Sequence, residues 1–197
     1  MRTLLVGDVH GCSRTLAALL KEVHPDRVIL LGDLFAKGPN PPGVWELIKA
    51  WKAEALLGNH DARMLKAWGT EGDSAHHRAC RSLDEACRDW LQRLPIFLYG
   101  DGWIGVHGGL HPTEGVVGTP RSMALVLRRW PDDSDASNPF WWQLYTGKER
   151  VFYGHDAIRG LQLHDRTVGL DSGCVYGNAL SGYLLEENRV IQAENIE

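Results

Sequence analysis

Five times along this chain an acidic, histidine or asparagine side chain stands beside glycine where a short apolar run ends, and this recurrence constrains the fold more than any other feature. The segments are Gly7-Asp8-Val9-His10-Gly11, Gly32-Asp33, Gly58-Asn59-His60-Asp61, His107-Gly108-Gly109 and Gly154-His155. Around the first three, Arg2 to Val6, Arg27 to Leu31 and Glu54 to Leu57 read as strands. Ser13 to Val23 and Val44 to Lys52 read as helices between them, with a turn over Pro39 to Gly43. Alternating β and α elements predict an α/β core with parallel strands. Glycine lets the backbone turn sharply at a crowded point, so each strand is expected to deliver a functional side chain at its C-terminal edge.

A helix is expected from Asp61 to Trp68 and another near Ala79 to Arg93, separated by the polar Gly69 to Ser74 segment. Ile96 to Tyr99 and Trp103 to Val106, joined through Gly100-Asp101-Gly102, read as a β-hairpin. Pro131 to Pro139, rich in Asp, Ser and Pro, reads as a surface loop. Val151 to Tyr153, Thr167 to Leu170, Ala179 to Leu185 and Arg189 to Ala193 read as short strands. The parallel-then-antiparallel order predicts two facing mixed sheets with helices outside.

With 197 residues, one domain is expected. No stretch approaches the roughly 18 apolar residues of a membrane helix, and the N-terminus lacks signal-peptide anatomy, so a cytoplasmic enzyme is expected. The cysteines, at 12, 80, 87 and 174, form no C-x-x-C pair and read as free packing thiols. A formal charge of -4 argues against reliance on nonspecific nucleic-acid binding, and no sequence-specific nucleic-acid partner is expected.

Asp and His one residue apart, at positions 8 and 10, can point the same way on extended backbone. Two divalent ions about 3.5–4 Å apart require a bridging carboxylate, oxygen and imidazole donors and an open position for water. Asp8, His10, Asp33, Asn59, His107 and His155 supply that donor set. Mixed imidazole and carboxylate ligation favours manganese, with iron, zinc or cobalt as alternatives.

In their order along the chain these motifs resemble the metallophosphoesterase superfamily, and within it the phosphoprotein-phosphatase-like group. The resemblance implies an α/β sandwich of two mixed β-sheets flanked by helices, a single calcineurin-like domain over residues 1–197, and two bound metals. It places Asp8, His10 and Asp33 on one metal and Asp33, Asn59, His107 and His155 on the other. The Gly32-Asp33-Leu34-Phe35-Ala36-Lys37-Gly38-Pro39 run and the Leu170-Asp171-Ser172-Gly173-Cys174 tail are similar to those of bacterial symmetrical diadenosine tetraphosphatases. Those enzymes usually carry Arg where Lys37 stands and are longer, mainly between His107 and His155, which implies a reduced or absent dinucleotide pocket here. Phosphoprotein phosphatases carry Asp, orienting the catalytic His, where this chain has Ala36.

A water acidified by two metals would attack phosphorus in line. By the same resemblance His60 is not a ligand and is the candidate to protonate the leaving oxygen. Asp61 is expected at the site, supporting either the adjoining helix or the imidazole. Lys37 is expected to meet a nonbridging phosphate oxygen, Asn59 to face substrate as well as metal, and a second cation to come from Arg128, Arg129 or Arg150. His76, His77 and Cys80 read as surface residues rather than a zinc site, and His24, His111 and His164 as structural or surface residues. Trp141, Trp142 and Tyr145 read as core rather than a purine-stacking lid, and Asp171 as either a brace for a metal-bound His or a turn carboxylate. The expected substrate is a small phosphorylated molecule, foremost a dinucleoside polyphosphate such as diadenosine tetraphosphate cleaved to two ADP. The alternatives are a serine/threonine or tyrosine phosphopeptide, or no substrate at all in a silent metal-binding scaffold.

Overall fold

The structure is a computed structural model describing residues 1–197. β1 (Thr3–Val6), β2 (Arg27–Leu30) and β3 (Glu54–Ala55) run parallel in one sheet. They are linked by α1 (Ser13–Val23) and α2 (Pro41–Trp51) as crossovers. The chain's last strands, β9 (Leu180–Leu184) and β10 (Arg189–Ala193), add antiparallel on the other side of β1, giving the order β10-β9-β1-β2-β3.

The second sheet begins with a hairpin, β4 (Phe97–Gly100) against β5 (Trp103–Val106). Its two-residue connection ends on Gly102 at φ 72°, a left-handed value that glycine adopts without steric cost. β6 (Arg150–Tyr153) and β8 (Thr167–Gly169) continue it in parallel, and β7 (Gln162–Leu163) closes the edge, in the order β4-β5-β6-β8-β7. Two mixed sheets are therefore present, as the motif order predicts.

Side chains alternate across each strand, and both faces of the central strands are buried, which explains their continuous apolar runs. Leu5, Ile29 and Leu56 point between the sheets and meet Trp103, Phe152 and Val168 from the second. Leu4, Val6, Val28 and Leu30 point outward, under Leu16, Leu19 and Leu20 of α1 and Val44 and Ile48 of α2. On the far side of the second sheet, Ile104, Val151 and Tyr153 pack on Leu110, Leu127 and Trp141.

Several boundaries differ from the sequence expectation for local reasons. α2 begins at Pro41 rather than after a turn ending at Gly43, because the Asn40 side chain accepts from Gly43 N (3.0 Å) and proline fits the first helical position. The stretch expected as one helix near 79–93 is two, α4 (Ala75–Ser82) and α5 (Glu85–Gln92). Asp84 breaks it by capping α5 through Cys87 N (2.8 Å). α3 (Asn59–Ala67) starts directly after Gly58, and β3 stops at Ala55 because Leu57 N turns to Pro95 O (3.0 Å). The two-residue β7 carries no sequence signal. No helix is long and apolar enough to cross a membrane.

Candidate metal centre

All five motifs lie just beyond the C-terminal ends of parallel strands, the crevice where open α/β sheets hold ligands. Asp8 and His10 follow β1, Asp33 follows β2, Asn59 follows β3, and His107 and His155 follow β5 and β6. Each of these side chains is buried. Two groups of potential ligand atoms result, His10-Asp33-His60 and Asp33-His107-His155, each with all its atoms within 4.8 Å of one another. Asp33 belongs to both: its Oδ2 lies 3.5 Å from His10 Nε2 and its Oδ1 3.5 Å from His107 Nε2. Asn59 Oδ1 reaches His107 Nε2 at 3.0 Å and His155 Nδ1 at 3.2 Å, and Asp8 Oδ2 lies 3.9 Å from His10 Nε2.

Asp8 and His10 do not converge along extended backbone as the spacing suggested. His10 (φ 48°), Asp33 (φ 54°) and His155 (φ 69°) all adopt left-handed conformations, which fold their side chains back over the strand ends. Such residues cost free energy, on the order of 1–3 kcal/mol each, and persist where the surroundings over-determine them. Two glycines show how close the packing is: a Cβ on Gly58 would lie 2.2 Å from Asp33 N, and one on Gly154 2.2 Å from Asp8 Oδ1.

Backbone carbonyls set the orientation of all three imidazoles. His10 Nδ1 donates to Ala36 O (2.9 Å), His107 Nδ1 to Leu31 O (2.9 Å) and His155 Nε2 to Val126 O (3.1 Å). In each ring one nitrogen carries the proton and the other turns its lone pair toward the cluster, the state a metal ligand requires. Burial keeps these rings uncharged by pushing His10, His107 and His155 below the usual histidine range.

The carboxyls are under the opposite pressure. Burial pushes Asp33 up to about 7. Asp8 is raised by burial, then by the nearby Asp171 and Asp33, and Asp171 is itself raised by burial. Neutral imidazoles cannot balance a cluster of carboxylates buried together, whereas divalent cations would. The donor set therefore fits a pair of such ions.

The comparisons with known proteins agree with this geometry. Residues 1–190 match the calcineurin-like phosphoesterase family. The chain is a metallophosphoesterase. It is 25% identical to the symmetrical bis(5'-nucleosyl)-tetraphosphatase of Aromatoleum aromaticum, over 98% of this chain and 96% of that protein. It is 23% identical to the asymmetrical bis(5'-nucleosyl)-tetraphosphatase PrpE of Bacillus velezensis, over 97% of this chain and 92% of that one. A crystal structure described as a candidate diadenosine tetraphosphatase superposes with a TM-score of 0.91 at 31% identity, covering 100% of this chain and 94% of that chain. The family is one of divalent-metal hydrolases, so the metallophosphoesterase is an enzyme and its buried His and Asp groups are the candidates to hold its metals.

The cluster floors a cleft of about 450 Å³. Of the cations expected there, Lys37 and Arg128 line it. Lys37 Nζ approaches His10 Nε2 (3.3 Å) and donates to Tyr176 Oη (3.1 Å), and Arg128 donates to His155 O (3.1 Å) and lies 3.4 Å from Asp133 Oδ2. Arg129 and Arg150 are corrected by the structure. Arg129 turns away onto Asn138 O and the Phe140 ring, and Arg150 stands at the start of β6, the opposite end from His155, over the Tyr183 and Phe152 rings.

Asp61 is also corrected as a catalytic group. It is fully buried, and its carboxylate accepts from Gly58 N (2.9 Å), Asp33 N (2.8 Å) and Leu34 N (3.0 Å). It thus ties the start of α3 to the Asp33 turn instead of contacting the imidazole.

Among the cleft-lining residues, Arg63 and Tyr176 were not singled out as functional from the sequence. Arg63 lines the cleft one helical turn after Asn59, a spacing that could have revealed it. Tyr176 had no such signal, because the tail loop places it; His76, set against His60 by the docking of α4 on α3, stands behind the cleft and is not part of its lining. Trp141 is fully buried, and Trp142 stacks between Phe140 and His164, away from the cleft. Asp171 lines the cleft beside Asp8 and also accepts from Gly173 N (3.0 Å).

Proposed function

We propose that this metallophosphoesterase hydrolyses dinucleoside polyphosphates, splitting diadenosine tetraphosphate into two ADP. Its carrying observation is the position of Asp33 between the two imidazole sets, 3.5 Å from His10 Nε2 and 3.5 Å from His107 Nε2, on the floor of a cleft bordered by Lys37, Arg63 and Arg128. In this reading Asp8, His10 and Asp33 hold one divalent ion and Asp33, Asn59, His107 and His155 a second. Manganese suits the mixed donors, and the pair supplies an acidified water and a charge clamp when bound.

The chain's own residues do the rest. Lys37, Arg63 and Arg128 neutralise nonbridging phosphate oxygens, Arg128 through a planar fork and Lys37 as a point charge. His60, whose ring edge meets His10 at a centroid distance of 5.1 Å, delivers a proton to the leaving oxygen. At the rim Tyr176 (63% exposed) and Ile158 (87% exposed) offer apolar surface against which a base can pack. Relatives named for both symmetrical and asymmetrical cleavage match this chain, so product identity is the discriminating measurement.

The test is to incubate manganese-loaded enzyme with diadenosine tetraphosphate, and separately with a phosphoserine or phosphotyrosine peptide, and to resolve the products by chromatography. Two ADP and a higher kcat/KM for the dinucleotide are expected. ATP plus AMP would refute symmetrical cleavage, and a peptide preference would refute the substrate class. His60→Ala should retain both metals by elemental analysis while kcat falls by about 10²-fold or more. Loss of an ion in that variant would make His60 a ligand instead.

A further inference from the structure

The three cations that border the cleft are not equivalent. Arg128 lies 3.4 Å from carboxylate oxygens of both Asp133 and Asp156, so two carboxylates already oppose its charge. Lys37 Nζ has a ring nitrogen and a phenol oxygen as partners instead, and Arg63 stands exposed on α3. Uncompensated positive charge therefore collects on the Lys37 side of the site, and the accessible space does not end there. Lys37 also lines a second cavity of about 240 Å³, set between the 37–41 loop and α4, whose far wall carries Arg78 and Ser82. No carboxylate lines this groove, whereas Asp8, Asp33, Asp133 and Asp171 line the cleft.

Local chemistry fixes both walls. Lys37 takes left-handed backbone (φ 82°), and Gly38 follows so close to the first motif that a Cβ there would lie 1.9 Å from His10 O. Asn40 N donates to Gly11 O (3.0 Å) and Asn40 Nδ2 to Ser13 Oγ (2.9 Å), which holds the loop against the start of α1. On the other wall Cys80 Sγ donates to Met64 O (3.3 Å), tying α4 to α3. Arg78 is left on the open face, donating to Asp73 O and standing 3.5 Å from Asp73 Oδ2. An ion pair this exposed contributes little to stability, so a phosphate can take its place.

A cavity of this size falls below the roughly 300–1,000 Å³ of sites that enclose a whole small ligand. It suits part of a ligand whose remainder lies in the cleft, and its charge suits phosphate. We infer that the groove is a distal-phosphate subsite: the polyphosphate chain runs from the scissile phosphate on the cleft floor past Lys37, and Arg78 meets a phosphate of the leaving nucleotide. One half of the substrate then lies by Arg128, Tyr176 and Ile158, and the other by Lys37 and Arg78. This rests on the dinucleoside polyphosphate reading, and the two fail in different ways.

Diadenosine tetraphosphate is long enough to enter the groove, whereas p-nitrophenyl phosphate, with a single phosphate, is not. The Arg78 side chain is 60% exposed, so its variants should fold as the wild type does. With manganese-loaded enzyme, Arg78→Ala should raise KM for the dinucleotide about tenfold, the loss of one charge-assisted contact, with kcat within about twofold. Both parameters on p-nitrophenyl phosphate should stay within about twofold. Arg78→Glu sets a carboxylate against the phosphate and should raise the dinucleotide KM by about tenfold more. Asp73→Ala frees Arg78 from its ion pair and should leave that KM within about twofold of the wild type.

An unchanged dinucleotide KM in Arg78→Ala, a Glu variant no worse than Ala, or a matching loss on p-nitrophenyl phosphate would overturn the subsite and leave the substrate reading standing. So would an Asp73→Ala variant as poor as Arg78→Ala, which would make the ion pair a structural tie. A wild type that does not turn over diadenosine tetraphosphate would refute the substrate reading itself, and the subsite would fall with it.

Discussion

Asp33→Asn should move stability in opposite directions with and without metal. Asp33 is 1% exposed, and burial pushes its carboxyl up to about 7, above the 3.8 of a free aspartate. Keeping it ionised at pH 8 in the metal-free protein therefore costs on the order of 4 kcal/mol at most. Asparagine removes that cost and keeps an oxygen to accept from His60 N, a bond of 2.8 Å in the wild type. At pH 8 the metal-free variant should be more stable by about 1–4 kcal/mol, a rise in Tm of roughly 3–12 °C for a chain of this size.

The pH dependence has a definite sign. A carboxyl whose folded value exceeds its unfolded value binds its proton more tightly when folded, so its contribution to stability is greatest below the unfolded value and is lost as pH rises toward about 7. The gap between variant and wild type should therefore open between pH 4 and 7 and level off above. The buried histidines contribute with the opposite sign to both proteins, and the difference curve cancels them. Manganese at 100 times Kd should stabilise the wild type by about 2.7 kcal/mol per site and the variant far less. Differential scanning calorimetry of both proteins, with chelator and with manganese, reads all of this. A metal-free Asp33→Asn less stable than the wild type at pH 8, or one equally stabilised by manganese, would refute the electrostatic account of the cluster.

Arg128→Ala should lower kcat/KM for diadenosine tetraphosphate by about 10–100-fold, as expected for losing a charge-assisted contact, whereas Arg150→Ala should leave it unchanged. Steady-state kinetics decides this, and equal losses would restore Arg150 as a candidate clamp. Gly58→Ala should destabilise by about 1–3 kcal/mol or more and weaken manganese binding, since its Cβ would fall 2.2 Å from both Asp33 N and Asp33 Oδ1. Calorimetric melting and metal titration test it, and a wild-type metal affinity would show that the Asp33 turn can yield.

Much of the fold was legible because strand ends and ligand motifs coincide. Each of the five ligand motifs lies after a strand, and the runs before them are largely apolar because both faces of those strands are buried. What escaped was set by groups that sequence spacing does not rank. Asp84 has the same residue type whether it caps a helix or sits inside one, so the break between α4 and α5 was missed. Arg150 and Arg128 are equally basic in the sequence, and the direction of β6 puts Arg150 at the wrong end of its strand. Asp61 follows a ligand motif, yet three amide donors converge on it once β2 and α3 are assembled.

The same convergence explains why the site tolerates so much unfavourable chemistry. Three residues hold left-handed backbone, and several buried carboxyls crowd three uncharged imidazoles. Five of the six candidate ligands nevertheless have a second attachment to the scaffold. His10, His107 and His155 are tied to carbonyls of Ala36, Leu31 and Val126, Asp8 Oδ1 accepts from His155 N (3.0 Å), and Asp33 N is held by Asp61. These ties run between segments far apart in the chain, so none of these five can relax without disturbing one from another strand. Rigidity of this kind keeps like charges together before any cation arrives, and a preorganised cluster then binds its ions without a further ordering cost.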